Sequence, residues 1–396
     1  MKKVLITSFD MEIGGVERSL IGLLSHFNYT DHEVDLLIYS HTGDFMPLLP
    51  SEPYLLPENP QYKTFRQGIK EVLLNRYFSL AVARLYANFA AKRYGRKHQF
   101  KESGIYQMQL IWEKCLPFLK PVEKEYDVAI SYLWPHYFVA NKVKAKTKIA
   151  WIHTDYSTME TDVEMDTKVW SQYDYIISIS DHVTKSFLKQ YPTLLNKIIM
   201  IENIISPSFI QAMSLEEASL PFDQNNFNLL SVGRLCYPKG YDHAIKALRI
   251  LHDKGYTNIK WYVVGYGGDE PMLRDLIAEN GLEDSFILLG KQMNPYPYIK
   301  ACDLYVQPSR YEGKAVTVTE AQILHKPVLI TNYETAKSQL KDGFDGWITE
   351  KSIEGIAQGV EKLYLDVPLR ETLVKGCEQT NYGNADELEK LYALFR

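Results

Sequence analysis

The chain has 396 residues, 46% of them hydrophobic, which is too long for one ordinary domain and enough for two well-buried cores. A formal net charge of -5 gives no global basic field, so composition offers no support for a nucleic-acid partner. Cys115, Cys236, Cys302 and Cys377 lie far apart without a C-x-x-C or His-Cys cluster, which argues against metal or redox motifs and fits a reducing cytoplasm with ordinary core thiols.

Val4 to Thr7 read as a short apolar strand. The charged start resembles a secretory signal, but the apolar run stops quickly and Ser8, Asp10 and Glu12 follow. The loop Asp10 to Gly15 closes on Gly14 and Gly15, ahead of a helix over Val16 to Phe27 and a second strand over Val34 to Tyr39. Strand, glycine loop, helix and strand make a βαβ unit. The glycine pair either admits a ligand to the helix start or makes a tight turn. Neither G-x-G-x-x-G nor the G-K-S/T ending of a P-loop is present.

Between Tyr62 and Lys101 the many lysines and arginines are countered by Glu71 alone. Phe65, Ile69, Val72, Leu73, Tyr77 and Leu80 share one helical face, whereas Phe78, Val82, Leu85 and Phe89 fall on another, which requires two helices or one helix with two contact faces. The segment reads as a surface for anionic lipid or a lipid pyrophosphate, or as a solvated helical insertion packed on its domain. No run of eighteen apolar residues free of charge occurs, so no transmembrane helix is expected and membrane contact would be peripheral.

Tyr126 to Tyr132 and Thr147 to Trp151 are strands around a helix over Pro135 to Lys144. His153 follows the second of them in WIHTD, where an imidazole suits a ligand contact, an acid–base role or plain structure. Tyr175 to Ser180 is another strand, and Ser180 or Asp181 is set to cap the helix running to Gln190. After a short strand over Ile198 to Ile201, apolar periodicity lapses through residues 204 to 226, as in a linker.

The second half restarts with a strand over Asn228 to Val232, then Gly233, Arg234, Lys239 and Gly240 before a helix over Tyr241 to Gly255. Two cations on a loop leaving a parallel strand can hold a diphosphate, and solvated surface charge is the plainer alternative. Lys260 to Gly265 and Ser285 to Leu289 are strands, the first followed by Gly267 and Gly268 and a helix from about Pro271, the second by Gly290 to Asn294. Tyr296 to Ala301 is a helix. Tyr305 to Gln307 end a strand, Pro308 to Lys314 turn, Val316 to Leu324 form a helix, and Pro327 to Thr331 the next strand. Glu312 and Glu320, separated by seven residues, flank the start of that helix. Open α/β sheets bind ligands at such strand ends, and the helix start offers free N–H groups and a positive dipole end. Gly346-Trp347-Ile348, helices over Ser352 to Tyr364 and Pro368 to Gly376, and an amphipathic helix over Ala385 to Phe395 complete the chain.

Together GGVER, WIHTD, SVGRLCYPKG, VVGYGGDEPML and EGKAVTVTEA resemble the retaining glycosyltransferases of family 4, over nearly the whole chain. The resemblance implies an α/β GT-B fold of two facing Rossmann-like domains with parallel sheets and an interdomain cleft. An acceptor-side domain would span 1–204, with its basic helical insertion at about 62–101. A linker at 205–225 and a nucleotide-sugar domain at 226–380 would follow, and a helix within 381–396 would pack back on the first domain. By the same resemblance Glu320 binds ribose hydroxyls, Glu312 lies near the donor sugar, and Arg234 and Lys239 hold the diphosphate. Backbone N–H groups at Gly14, Gly15, Ala315 and Val316 would assist, with Gly233, Gly267, Gln292, Gly313 and Lys314 also lining the donor site. His153 would meet the donor sugar from across the cleft, and His153, Glu312, Arg234 and Lys239 form the implied catalytic set.

No metal or cofactor is implied, and no D-x-D occurs. Lys314 stands where many relatives carry an aromatic or small residue, and Asn203-Ile204 replaces the family's Asn-Gly. Glu312 is not thereby a nucleophile, because such enzymes are thought to use front-face departure and attack. The expectation is a cytoplasmic enzyme, working at or near the inner face of the cell membrane. It would move a sugar from a nucleotide-sugar, UDP-sugar favoured by family frequency, to a hydroxyl of a lipid-linked glycan in surface polysaccharide assembly. A nucleotide-sugar epimerase and a non-catalytic partner subunit are the alternatives. Against the subunit stand His153, Arg234, Lys239, Glu312 and Glu320, all present.

Overall fold

Short runs rich in Val, Ile and Leu become strands buried on both faces, the pattern of parallel sheets covered by helices. The computed structural model describes residues 1–12, 14–98, 104–219, 221–313 and 315–395. The chain divides into two units, Met1–Ile205 with Asn384–Arg396, and Ser206–Gly383.

The first unit is built on a seven-stranded sheet of β1 (Lys2–Ser8), β2 (His32–Ile38), β3 (Tyr54–Leu55), β4 (Tyr126–Ser131), β5 (Ala145–Ile152), β6 (Tyr175–Ser178) and β7 (Ile198–Met200), in the order β3-β2-β1-β4-β5-β6-β7. Val4 pairs with Val34 on one side and Val128 on the other, so the chain leaves β1 in one direction and returns to its opposite edge at β4. That reversal opens a crevice beyond the carboxyl ends of β1 and β4. The helix Gly15–Ser25 covers the sheet with Leu20, Ile21, Leu23 and Leu24 buried.

The basic insertion at about 62–101 contains the helices Ile69–Leu74 and Phe78–His98, and a further helix, Gly104–Cys115, follows it, which the sequence pattern did not disclose. Leu80, Ala81, Ala87 and Ala91 line the buried side of Phe78–His98, while Phe65 stacks on Trp112 at 3.9 Å in the core beneath. The first apolar face inferred from sequence is divided between the helix Ile69–Leu74, its flanks and Leu80, whereas Phe78, Val82, Leu85 and Phe89 lie together on Phe78–His98 and are exposed to solvent rather than packed. Lys101 lies outside the described residues.

The second unit has a six-stranded parallel sheet of β8 (Phe227–Val232), β9 (Ile259–Val264), β10 (Phe286–Gly290), β11 (Leu304–Gln307), β12 (Val328–Thr331) and β13 (Trp347–Thr349), ordered β10-β9-β8-β11-β12-β13. Its reversal falls between β8 and β11. Residues 206–225, read as linker, belong instead to this unit. Pro207–Met213 is a helix capped by Ser206 Oγ, its Phe209 ring lies edge-on to Tyr296, and Asn294 Nδ2 donates to the Met213 carbonyl. A helix of seven residues between polar flanks carries too short a period to be seen in sequence. Among the described residues no helix is long and apolar enough to cross a membrane. Cys115, Cys302 and Cys377 are buried, and burial pushes each thiol up to about 12, which leaves them inert core groups.

Candidate functional site

In the second unit three loops leave the carboxyl ends of β8, β9 and β11 at the reversal point. The first two are zipped together by Gly233 N–H to the Val264 carbonyl (3.0 Å) and Leu235 N–H to the Tyr266 carbonyl (3.0 Å). Gly267 lies so close to Leu235 that a Cβ would sit 2.2 Å from its carbonyl oxygen, so this glycine serves backbone packing in the first place. The β11 loop is clamped to the β8 loop by Arg310, whose guanidinium donates to both Asp242 oxygens at 2.7 and 2.6 Å while its N–H donates to the Pro238 carbonyl. Burial opposes the Asp242 charge, but the Arg310 fork keeps its pKa below the usual carboxylate value. Gly240 completes the clamp at φ +69°, with Pro308 O only 2.2 Å from where a Cβ would stand.

This scaffold brings Lys239 and Glu312 into contact. Lys239 Nζ donates to Glu312 Oε1 at 2.7 Å, and the same oxygen accepts from Ser309 Oγ at 2.6 Å and Gln307 Nε2 at 2.9 Å. The expected phosphate cation and the expected sugar carboxylate thus form one ion pair, 20% and 11% exposed. Gln307 is itself held by Tyr305, whose hydroxyl donates to Oε1 at 2.8 Å. Gly233 makes room for the pair, since a Cβ there would press on Tyr241 Oη and the Lys239 stem. Arg234 is exposed on the same loop, and Gly313 is exposed beside Glu312. Gln292 is bound to the Leu289 carbonyl and the Tyr298 hydroxyl.

Glu320 lies on the helix Val316–Ile323, 3% exposed, and accepts from the Tyr296 hydroxyl at 2.9 Å. At the start of that helix the expectation of open N–H groups is corrected in part. Ala315 N–H donates to Gln339 Oε1 at 2.9 Å, and Gln339 Nε2 donates to Thr319 Oγ1 at 3.1 Å, so a neutral side chain already caps this end. Ala315 is buried, and a buried N–H takes whatever partner is in reach. Val316 is 41% exposed. Lys314 lies outside the described residues.

In the first unit Gly14 and Gly15 stand at the start of the helix Gly15–Ser25, with Gly14 extended and the Glu17 side chain folded back over it. Asp10, 2% exposed, receives Arg66 Nε at 2.5 Å, which closes the other side of the loop. Burial raises the Glu17 pKa, and the Asp10 charge adds to the effect. His153 follows β5, its ring 4.5 Å from that of Tyr132, whose hydroxyl meets Ser19 Oγ at 2.6 Å; Ser19 in turn donates to Asn203 Oδ1 at 2.8 Å. The Asn203-Ile204 turn is thereby fixed, with the Ile204 carbonyl seated under Gly22. Burial drives the His153 pKa down to about 3, against weak support from the Tyr132 carbonyl and Asn203. The imidazole is therefore neutral at physiological pH and suited to contact rather than to proton donation. Arg310, Asp242, Tyr296, Gln339 and Arg66 were not singled out from sequence because each acts through a partner distant along the chain, and Gln307 and Ser309 were passed over although they bond to nearby Glu312. The compact sequence S-R-Y-E does place Ser309 and Arg310 within reach of Glu312, and was the one local signal available.

Residues 214–380 match the family described as Glycosyl transferases group 1. That match falls within the second unit, Ser206–Gly383. The chain is similar to the capsular polysaccharide biosynthesis glycosyltransferase CapM of Staphylococcus aureus, 31% identical over 170 residues, which is 40% of this chain and 42% of the relative. It is 26% identical over 205 residues to the Campylobacter jejuni N-acetylgalactosamine-N,N'-diacetylbacillosaminyl-diphospho-undecaprenol 4-alpha-N-acetylgalactosaminyltransferase, covering 51% of this chain and 54% of that one. These matches span about half the length of the curated relatives. Among solved structures, Anabaena HepE in complex with UDP and glucose superposes with a TM-score of 0.62 at 17% identity, over 99% of this chain and 98% of that one. This last is a likeness of fold, and with the two parallel sheets it bears out the GT-B class expected from sequence.

Proposed function

We propose that this protein is a retaining glycosyltransferase that moves a sugar from a nucleotide-sugar, UDP-sugar foremost, to a hydroxyl of a lipid-linked glycan during surface polysaccharide assembly. The reading rests on the cluster at the ends of β8 and β11, where Lys239 and Glu312 are held as one unit beside the exposed Arg234. Support comes from the group 1 domain, from CapM's part in capsular polysaccharide biosynthesis, from the diphospho-undecaprenol substrate in the Campylobacter enzyme's name, and from UDP and glucose bound to HepE.

In this reaction the bond from the anomeric carbon to the diphosphate oxygen breaks, and the acceptor oxygen bonds to the same face of that carbon. The acceptor proton passes to the departing phosphate. Negative charge grows on the diphosphate as it leaves, and Arg234 and Lys239 stabilise that charge without a metal ion. Glu312 orients Lys239 and meets the donor sugar, Glu320 binds the ribose, and neutral His153 contacts the sugar.

The test is sugar transfer from UDP-sugars to lipid acceptors, with UDP affinity read by calorimetry. Glu320→Gln should weaken UDP binding at least about tenfold, and Arg234→Ala should slow transfer by about a hundredfold. Product NMR should show the donor's anomeric configuration, and EDTA should leave the rate unchanged. Wild-type behaviour in both variants sinks the assignment, and conversion of the donor with no acceptor present favours an epimerase.

A further inference from the structure

The outer side of the helix Phe78–His98 presents Phe78, Val82, Leu85, Tyr86 and Phe89, each between 51% and 67% exposed. These positions recur at helical spacing on one side, opposite the buried Leu80, Ala87 and Ala91, with the buried Ala81 at its edge. The same spacing carries on to Lys92, Arg93, Arg96 and Lys97, all exposed, so a single side of the helix is apolar in its first half and cationic in its second. The helix contains no acidic residue. Leu74, 82% exposed at the end of the preceding helix, extends the apolar end. Monomeric surfaces rarely leave so many large apolar side chains side by side.

We propose that this face docks on an anionic lipid bilayer, the aromatic and aliphatic side chains entering the headgroup boundary and the cations pairing with lipid phosphates. The charge pattern selects that occupant. Apolar anchors with adjoining Lys and Arg match a surface that is negative outside and hydrocarbon within, whereas an apolar groove on a protein has no need of the cations. Two arginines of the insertion are withheld from this face and support it. Arg84 donates to the carbonyls of Thr64 and Gln67, and Arg66, which lies between them, pairs with Asp10 at the end of β1. The docking helix is thereby tied to the loop that carries Gly14 and Gly15.

The experiment is flotation of the full-length protein with vesicles of phosphatidylcholine alone or mixed with phosphatidylglycerol, with no donor or acceptor present. Docking is thus read independently of transfer. Wild-type protein should float with the mixed vesicles at low salt, stay behind with phosphatidylcholine alone, and be released near 1 M salt, where charges are screened within about 3 Å. F78S/F89S and K92E/R96E should each lower the bound fraction at least about tenfold, given roughly fivefold per basic residue at such a surface. Both alter exposed side chains only, so thermal midpoint and UDP affinity should stay at wild-type values. Equal binding by both variants, or equal binding to neutral vesicles, overturns the proposal. So does a concentration-dependent dimer, lost in F78S/F89S, in protein that never floats, which would assign the face to contact between copies.

Discussion

At Lys239 and Glu312 two roles expected separately are performed by side chains that neutralise each other at 2.7 Å. Their pairing holds a lysine and a carboxylate together beside the proposed donor site with neither charge uncompensated. His153 carries the clearest pH consequence. Its pKa, and that of the buried His136, lie near 3 against an ordinary 6.5, chiefly through burial. A depressed histidine contributes stability that is complete above 6.5 and lost as pH falls from there toward 3, because the unfolded chain then binds the proton first. In His153→Asn the loss of stability between pH 6 and 4 should be shallower by up to about 1.4 kcal/mol per pH unit than in wild type, measured by urea denaturation. Over pH 6 to 9 the transfer profile of that variant should keep the wild-type shape at a lower rate. An inflection near 6.5 that disappears in His153→Asn would refute a neutral role.

The loop Pro308 to Gly313 shows how an element gains rigidity from distant partners. Thr331 Oγ1 holds the Ser309 carbonyl at 2.5 Å, Thr335 Oγ1 holds the Glu312 carbonyl at 2.9 Å, and Arg310 bolts it to Asp242. The strand, turn and helix here were legible from hydrophobic runs and turn residues. So was the cap of the helix Asp181–Gln190, where Ser180 Oγ accepts the Val183 N–H at 3.2 Å. The occupant of the helix start at Ala315 was not legible, because Gln339 reaches it from another loop. If a diphosphate takes that position, Gln339 must yield it. Gln339→Glu sets a negative charge at a positive helix end and should raise the Kd for UDP at least about tenfold, whereas Gln339→Ala should leave it unchanged or lower. Calorimetric titration separates the two, and equal affinity in both variants would show that the phosphates bind elsewhere.

At the scale of the whole molecule, the last residues return to the first unit. Tyr392 stacks on His32 at 5.0 Å and its hydroxyl accepts the Asn28 N–H at 2.7 Å, while Lys2 Nζ donates to the Phe395 carbonyl. Leu391 is fully buried there. Leu391→Ala should cost about 2–5 kcal/mol in the unfolding transition of the first unit and leave that of the second in place, as followed by denaturation with proteolysis. An unchanged first transition would mean that this segment adds nothing to the unit's core.

Sequence by itself determined most of the succession of strands and helices, because burial on both sheet faces demands unbroken apolar runs, but it missed Tyr54–Leu55, Gly104–Cys115 and Pro207–Met213. It also singled out Glu312, Glu320, Arg234, Lys239 and His153 because glycine turns and charges stand at strand ends. It left the basic insertion ambiguous. A helix that is apolar on two sides has no single amphipathic face, and only the folded unit shows that one of them meets solvent. Tertiary structure alone decided that Lys239 pairs with Glu312, that Gln339 caps the Ala315 turn and that Arg66 seals Asp10. Each of those contacts joins residues far apart in the chain, and their energies depend on distances and burial that no local pattern encodes.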